Sequence, residues 1–219
     1  MTRTAVIFDL FNTLVPGADT ERDQVLERMA DVVGVDAAAF VRAHHETWPD
    51  RLVRWGAAET IRILAGRLGA SPAPAAVERA VTLRCELGTK LLADVTPATL
   101  AALDALRARG FRLALCSNTS AETADLWPAS PLAARFAATA FSPQVGAAKP
   151  DPRSYLAATD ALGVRPDQCW FVGDGADGEL AGAAAVGMAV IRTTEFQDTD
   201  PTWPGRPVTA LSELADRLG

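Results

Sequence analysis

Lysine is almost missing from this chain. Lys and Arg total 21 in 219 residues, and only Lys90 and Lys149 are lysines, leaving nineteen arginines. A chain that avoids lysine so thoroughly makes each of the two worth a functional question. Cysteine is also scarce. Cys85, Cys116 and Cys169 lie far apart in apolar surroundings, which excludes a disulfide framework or a zinc set and reads as buried free thiols. No apolar run reaches the length of a membrane span. The first residues hold one Arg and a four-residue apolar run, too short for a signal peptide. From these absences the expected location is the cytoplasm, with no membrane partner. Positive charge is in deficit as well. A net charge of −6 and a pI near 5.0 argue against nucleic acid as the main partner. A small phosphorylated ligand needs only local positive charge and stays open.

Apolar residues, by contrast, make up 49% of the chain, enough for a large core and against wholesale disorder. The length suits one α/β core with an inserted subdomain. Ala5-Val6-Ile7-Phe8 is too short for a helix and reads as a buried strand, with Asp9 directly behind it. A buried parallel strand ends at the edge where open α/β sheets hold their sites. Asp9 therefore sits where a nucleophile or a metal ligand would sit. A turn-forming Asp at a strand end is the plainer alternative.

Residues 16–92 read as all-helical. Helices are expected from about Thr20 to Val33, from the Asp36 cap to about Thr47, from Ala57 to Leu68, and from the Pro74 region to Leu92. Trp48-Pro49-Asp50 reads as an interruption. The pattern then changes. Helix Pro97 to Arg109, strand Arg112 to Cys116, short helix Ala121 to Trp127 and a weak strand Ala138 to Phe141 follow. After them come helix Pro152 to Leu162, strand Cys169 to Val172, helix Leu180 to Val186, strand Ala189 to Ile191, a Pro-rich loop over 195–207 and a closing helix Leu211 to Leu218. There is no internal repeat. Alternating strands and helices predict an α/β, doubly wound, mostly parallel (Rossmann-like) sheet. The expected division is a core of residues 1–15 and 93–219 with a helical insert of 16–92.

Four polar patches follow strands or lie in a loop: Asp9 to Thr13, Ser117-Asn118, Lys149, and Asp174 to Glu179. Each alone has a bland reading, as a cap, a solvated lysine or an acidic turn. In a parallel sheet the ends of the first, second and fourth strands share one edge, so all four patches can meet in one crevice. Asp9 and Asp174 would supply hard oxygens for Mg²⁺. Lys149 would hold the charge of a bound anion and keep the carboxylates ionised. Asp9 could attack phosphorus directly. The candidate catalytic residues are Asp9, Ser117 and Lys149, and the candidate substrate contacts are Thr13, Ser117, Asn118 and Lys149.

These residues resemble the motifs of the haloacid dehalogenase superfamily of hydrolases. Phe8-Asp9-Leu10-Phe11-Asn12-Thr13-Leu14 is similar to the first motif, with the nucleophilic Asp at Asp9. Ser117 matches the second, Lys149-Pro150 the third, and Gly173-Asp174-Gly175 with Glu179 the acidic fourth, Asp177 being an alternative to Glu179. The resemblance spans essentially the whole chain and implies a core with a helical cap after the first motif. It implies a Mg²⁺-dependent phosphatase that forms an aspartyl phosphate on Asp9. The metal would be held by Asp9, the Phe11 backbone carbonyl and Asp174. The substrate would be a small phosphorylated molecule, and the protein a monomer or homodimer.

One departure bears on the chemistry. Phosphatases that the chain resembles carry a second Asp two residues after the nucleophile, as general acid and base. Here that residue is Phe11, which keeps a backbone carbonyl and loses the proton chemistry. The superfamily's 2-haloacid dehalogenases carry an aromatic residue there, attack carbon and need no metal. Dehalogenation is therefore an alternative, with Arg42, Arg51 or Arg54 as the cap arginine over the halogen; a catalytically weak binding protein is another. Its phosphonatases use a cap lysine, for which Lys90 is the sole candidate. His44-His45, beside Trp48, Arg51, Arg54 and Trp55, reads as an exposed helix end or a lip over the crevice. Trp127, Trp170 and Trp203 read as packing residues.

Overall fold

Ala5–Phe8 (β1) is apolar at every position, so it has to be covered on both faces. A computed structural model, which describes residues 2–218, places it in the middle of a five-stranded sheet. The other strands are β2 (Arg112–Ser117), β3 (Ala138–Phe141), β4 (Cys169–Gly173) and β5 (Ala189–Arg192). Their order is β3-β2-β1-β4-β5, and every pairing is parallel. Phe8 lies opposite Leu115 of β2 and Val172 of β4. The carboxyl ends of these three strands therefore share one edge. The chain winds from β1 through β2 to β3, then crosses to β4 on the other side of β1. That reversal opens a crevice beside the end of β1.

The strand pleat sends alternate residues of β1 to opposite faces. Val6 and Phe8 join a cluster with Leu103 and Leu106 of α6 (Pro97–Ala108) and Leu214 of α11 (Leu214–Arg217). Ala5 and Ile7 join one with Tyr155 and Leu162 of α9 (Pro152–Leu162) and Leu180 of α10 (Glu179–Ala185). Trp127 is buried in the first cluster, and Trp170 and Trp203 pack half-buried against the two. Short helices α7 (Ala121–Leu126) and α8 (Ser142–Val145) follow β2 and β3. Thr96 caps α6 through its side chain, which accepts from Thr99 N at 3.0 Å. The closing stretch is a 3-10 turn, Leu211–Glu213, that runs into α11.

Between β1 and α6 stand five helices: α1 (Asp19–Val33), α2 (Ala37–Glu46), α3 (Trp48–Val53), α4 (Ala57–Arg67) and α5 (Pro74–Ala93). They bury their own cluster, including Leu26, Met29, Phe40, Ile61, Leu64 and Leu87. Asp36 caps α2, accepting from Ala39 N at 2.8 Å. The sequence reading has four helices here, because Trp48-Pro49-Asp50 was an interruption. Proline does end α2, but α3 begins at once, with Pro49 in its first turn. A missing N–H costs nothing there, since the first-turn amides have no helical partner. Cys116 and Cys169 are buried thiols as expected, while Cys85 on α5 is only half-buried. No helix of the described residues is long and apolar enough to cross a membrane.

Candidate active site

The loop after β1 exposes one edge of Asp9 to the crevice. Asn12 adopts a left-handed conformation, φ 59°, and its Oδ1 accepts from Gly17 N at 2.8 Å. Asn12 N donates to the Val15 carbonyl at 2.7 Å. A Cβ on Gly17 would lie 2.6 Å from Asn12 Oδ1, so the loop closes only over glycine. The chain is thereby turned away into α1, and Asp9 stays at the strand end, 7% exposed.

Lys149 reaches this carboxylate from the segment before α9. Its Nζ donates to Asp9 Oδ1 and to Glu179 Oε2, each at 2.5 Å. Asn118, just past β2, aims it. Asn118 Oδ1 accepts from Lys149 N at 2.7 Å, and its Nδ2 donates to Lys149 O at 2.9 Å. Both backbone groups of Lys149 are thus pinned by one side chain. The same Nδ2 donates to Asp177 Oδ2 at 2.9 Å at the exposed rim.

Glu179, at the start of α10, folds back over the end of β4. Its Oε1 accepts from Gly175 N at 3.1 Å, and a Cβ on Gly173 would lie 2.0 Å from that same oxygen. Tyr155 OH donates to the Glu179 carbonyl at 2.8 Å and fixes the helix start. Asp174 is fully buried. Its Oδ1 accepts from Ala176 N at 3.2 Å, and its Oδ2 accepts from the hydroxyl of Thr199 in the Pro-rich loop.

Asp9, Asp174 and Glu179 each offer a carboxylate oxygen, and those oxygens lie within 4.8 Å of one another. With all three ionised, three carboxylates against one ammonium would leave a deficit of two positive charges, and without a further cation the site answers by raising the Asp9 and Glu179 carboxyls. Burial pushes the Asp9 carboxyl up; Lys149 opposes that and Asp174 adds to it. Burial pushes Glu179 up to about 8, partly offset by Lys149 and reinforced by Asp9. Burial works against the Lys149 charge, yet Asp9 and Glu179 hold it well above the usual lysine range. A buried group of three hard carboxylates that is fully ionised only with added positive charge fits a divalent cation such as Mg²⁺. Asp177 is outside this group, so Glu179 and not its alternative stands with Asp9 and Asp174.

The hydroxyls of Thr13 and Ser117 are buried with no hydrogen-bond partner in the described residues. A buried orphan hydroxyl is costly unless a ligand satisfies it. Phe11 is half-buried between the sheet cluster and the helical cluster, with the Arg22 guanidinium over its ring at 4.3 Å. A cavity of about 320 Å³ opens above Asp9. From the α/β part it is lined by Asp9, Phe11, Asn118, Lys149 and Glu179. From the helices come Arg22, His44, Trp48, Arg51 and Arg84.

The paired histidines split. His45 is exposed beside Asp23 at 2.8 Å and His44 is buried, although both line the cavity. Burial, then the charges of Arg51 and Arg84, keep His44 far below its usual pKa, as a neutral imidazole. Lys90 lies outside the cavity, exposed and paired with Glu21 at 2.7 Å. Arg54 is exposed beside Asp50, and Arg42 is exposed. Of the arginines singled out from sequence, only Arg51 reaches the cavity. Sequence reasoning missed Arg22, Arg84, Glu122 and Thr199. One signal was readable: Arg84 stands on the buried stripe Val77, Ala80, Leu87, Leu91 of α5, where an apolar residue belongs.

A family model described as haloacid dehalogenase-like hydrolase matches residues 4–187. A phosphoglycolate phosphatase of Rhodospirillum rubrum is 33% identical over 216 residues, covering 96% of this chain and 85% of that protein. A solved HAD phosphatase from Thermococcus onnurineus superposes with a TM-score of 0.70 at 22% identity, over 99% of this chain and 98% of that one. An L-2-haloacid dehalogenase from Xanthobacter autotrophicus superposes with a TM-score of 0.66 at 19% identity, over 98% of both chains.

Proposed function

The chain belongs to the haloacid dehalogenase-like hydrolases, and from that premise we propose that it is a Mg²⁺-dependent phosphatase of small phosphorylated compounds, working in the cytoplasm through Asp9. The observation that carries this reading is the buried group of three carboxylates around one lysine, which is fully ionised only with a further cation. The superfamily's metal-free dehalogenases, by the resemblance, have a less acidic fourth motif than Asp174 and Glu179 make here. Residues 16–92 act as the cap over a core of 1–15 and 93–219.

In this reading a carboxylate oxygen of Asp9 attacks phosphorus and the bond from phosphorus to the leaving oxygen breaks. Lys149 holds Asp9 in place and offsets the charge of the phosphoryl oxygens. The orphan hydroxyls of Thr13 and Ser117 donate to those oxygens, and Asn118 positions Lys149. Asp9, Asp174 and the Phe11 carbonyl would hold Mg²⁺, with Glu179 beside them. The ion would supply charge neutralisation for the carboxylates and the bound phosphoryl group. Water then attacks the aspartyl phosphate, releasing inorganic phosphate and restoring Asp9.

Metal removal separates this from the alternatives. With p-nitrophenyl phosphate, chelator should abolish turnover and Mg²⁺ restore it, while 2-chloropropionate should release no chloride in either condition. Chloride release in chelator, with no phosphate ester hydrolysed, establishes the dehalogenase reading, which Phe11 favours. Neither activity, with Mg²⁺ binding intact by calorimetry, leaves the binding protein.

Phe11 should also show in leaving-group preference. Nothing at residue 11 can protonate a poor leaving oxygen, and such proton transfers are worth about 10²–10⁴-fold. Aryl and acyl phosphates should therefore outrun alkyl ones by about 10² or more in kcat/KM. Phe11→Asp should chiefly shorten the life of the adduct on Asp9 and narrow the gap only in part. Because Arg22 lies over that position, the new carboxylate stays ionised and serves better as a base than as an acid. Equal rates on alkyl and aryl esters in the native enzyme would show that Phe11 only packs.

A further inference from the structure

The helical insertion brings three arginines to the cavity wall: Arg22 of α1, Arg51 of α3 and Arg84 of α5. Arg51 and Arg84 are 4% and 7% exposed. A buried guanidinium stays charged and is costly unless an anion stands with it. One buried carboxylate does: Glu122 of α7, whose Oε1 accepts from Arg84 Nε at 2.8 Å. The other two arginines have weaker company. Arg22 donates through Nε to the Gly17 carbonyl at 2.6 Å and stacks on Phe11; exposed Asp19 at the cavity and Glu122 favour its charge, but neither makes a salt bridge to it. Arg51 gives Nε and Nη2 to the His44 carbonyl at 3.2 and 2.8 Å. Carbonyls and rings do not neutralise a cation, and His44 is itself neutral. Burial, then the Arg84 charge, pushes Arg22 down to about 10 and Arg51 to about 9, so both are cations at neutral pH and repel their neighbour. The carboxylates of Asp9 and Glu179, across the same cavity, are already taken by Lys149.

We propose that Arg22, Arg51 and Arg84 form a second oxyanion subsite, and that the substrate is a short phosphorylated carboxylic acid with its phosphoryl group at Asp9 and its carboxylate at the arginines. This rests on the phosphatase reading above. A cavity of about 320 Å³ suits a short molecule with an anion at each end. Planar guanidinium forks take an oxyanion in bidentate geometry, and a carboxylate is the smaller and flatter of the two that fit.

Three primary alkyl esters test this, because they share the leaving-group handicap that Phe11 imposes: phosphoglycolate, ethyl phosphate and phosphoethanolamine. With Mg²⁺, kcat/KM should fall in that order, phosphoglycolate leading ethyl phosphate by at least about tenfold. Raised salt should shrink the lead. Arg51→Gln, and Arg84→Gln made together with Glu122→Gln so that no lone charge stays buried, should each cut the ratio of phosphoglycolate to ethyl phosphate by about tenfold. p-Nitrophenyl phosphate, with no second anion, reports hydrolysis alone, so loss of the phosphatase reading is seen separately. Calorimetry on the Asp9→Asn protein reads the same ranking as affinity, even without turnover or if an arginine variant fails to fold. Ethyl phosphate or phosphoethanolamine matching phosphoglycolate overturns the subsite. A short bisphosphate preferred over phosphoglycolate overturns the carboxylate.

Discussion

Asp9→Asn should lose turnover by about 10⁴-fold or more while the protein stays folded. The amide keeps the shape of the carboxylate and is a far poorer nucleophile. Folding should not suffer, because the native site already works against the Asp9 charge. Burial and Asp174 push its carboxyl up, and Lys149 retains Glu179 as a partner at 2.5 Å. The melting temperature should stay within a few degrees of the native value. Rapid-quench mass spectrometry should find a phosphoryl adduct on the native chain and none on the variant. Near-native activity, in a preparation shown free of contaminating phosphatase, would remove Asp9 from the mechanism.

Lys149→Met should cost both activity and stability. It leaves three buried carboxylates within 4.8 Å with no cation among them. Removing one member of a buried ion pair costs about 3–5 kcal/mol. For a chain of this size that lowers Tm by roughly 10 °C. The sign of the pH dependence follows from the carboxylates. Glu179 has a folded pKa of about 8 against 4.5 ordinarily, so between those values the folded state binds more protons than the unfolded one. Stability therefore falls as pH rises from 4.5 towards 8, and removing Lys149 steepens the fall by raising those carboxyls further. Thermal melts at pH 5 and pH 8 check this: the deficit of Lys149→Met should be small at pH 5 and full at pH 8. A deficit independent of pH would mean that Lys149 acts by packing and not by charge.

Much of this architecture was legible because it is written locally. Each strand is a short apolar run, and most of the helices have a cap or stop in the sequence, such as Asp36, Thr96, Gly34 and Gly163. Two elements were misread, α8 (Ser142–Val145), expected as part of a loop, and α3, which shows the limit of a local rule. Proline before an expected helix reads as a break, and whether the chain restarts at once depends on what the new helix packs against. Leu52 and Arg51 are buried where α3 packs against α8 of the α/β part and against α2, and that burial decides for a helix. Glu179 and Asp177 illustrate the same limit. Both are acidic and two residues apart. Only the fold-back over Gly173, which needs an absent Cβ, puts Glu179 among the carboxylates and leaves Asp177 at the rim on Asn118.

By itself, the sequence determined that strands and helices alternate, that the sheet is parallel, and that Asp9, Ser117, Lys149 and Asp174 follow one sheet edge. These are consequences of apolar periodicity and of the direction in which strands end, which each segment carries alone. The strand order, the grip of Asn118 on Lys149, the Thr199 hydroxyl on Asp174 and the three arginines over the cavity were decided by tertiary structure. Those partners are up to dozens of residues apart and meet only when the helical insertion and the Pro-rich loop pack down. Among nineteen arginines only Arg84, on the buried stripe of α5, carries a local sign of its place, and nothing local marks Arg22 or Arg51. Burial against α5 and α7, with a single glutamate to share, is what sets the three apart.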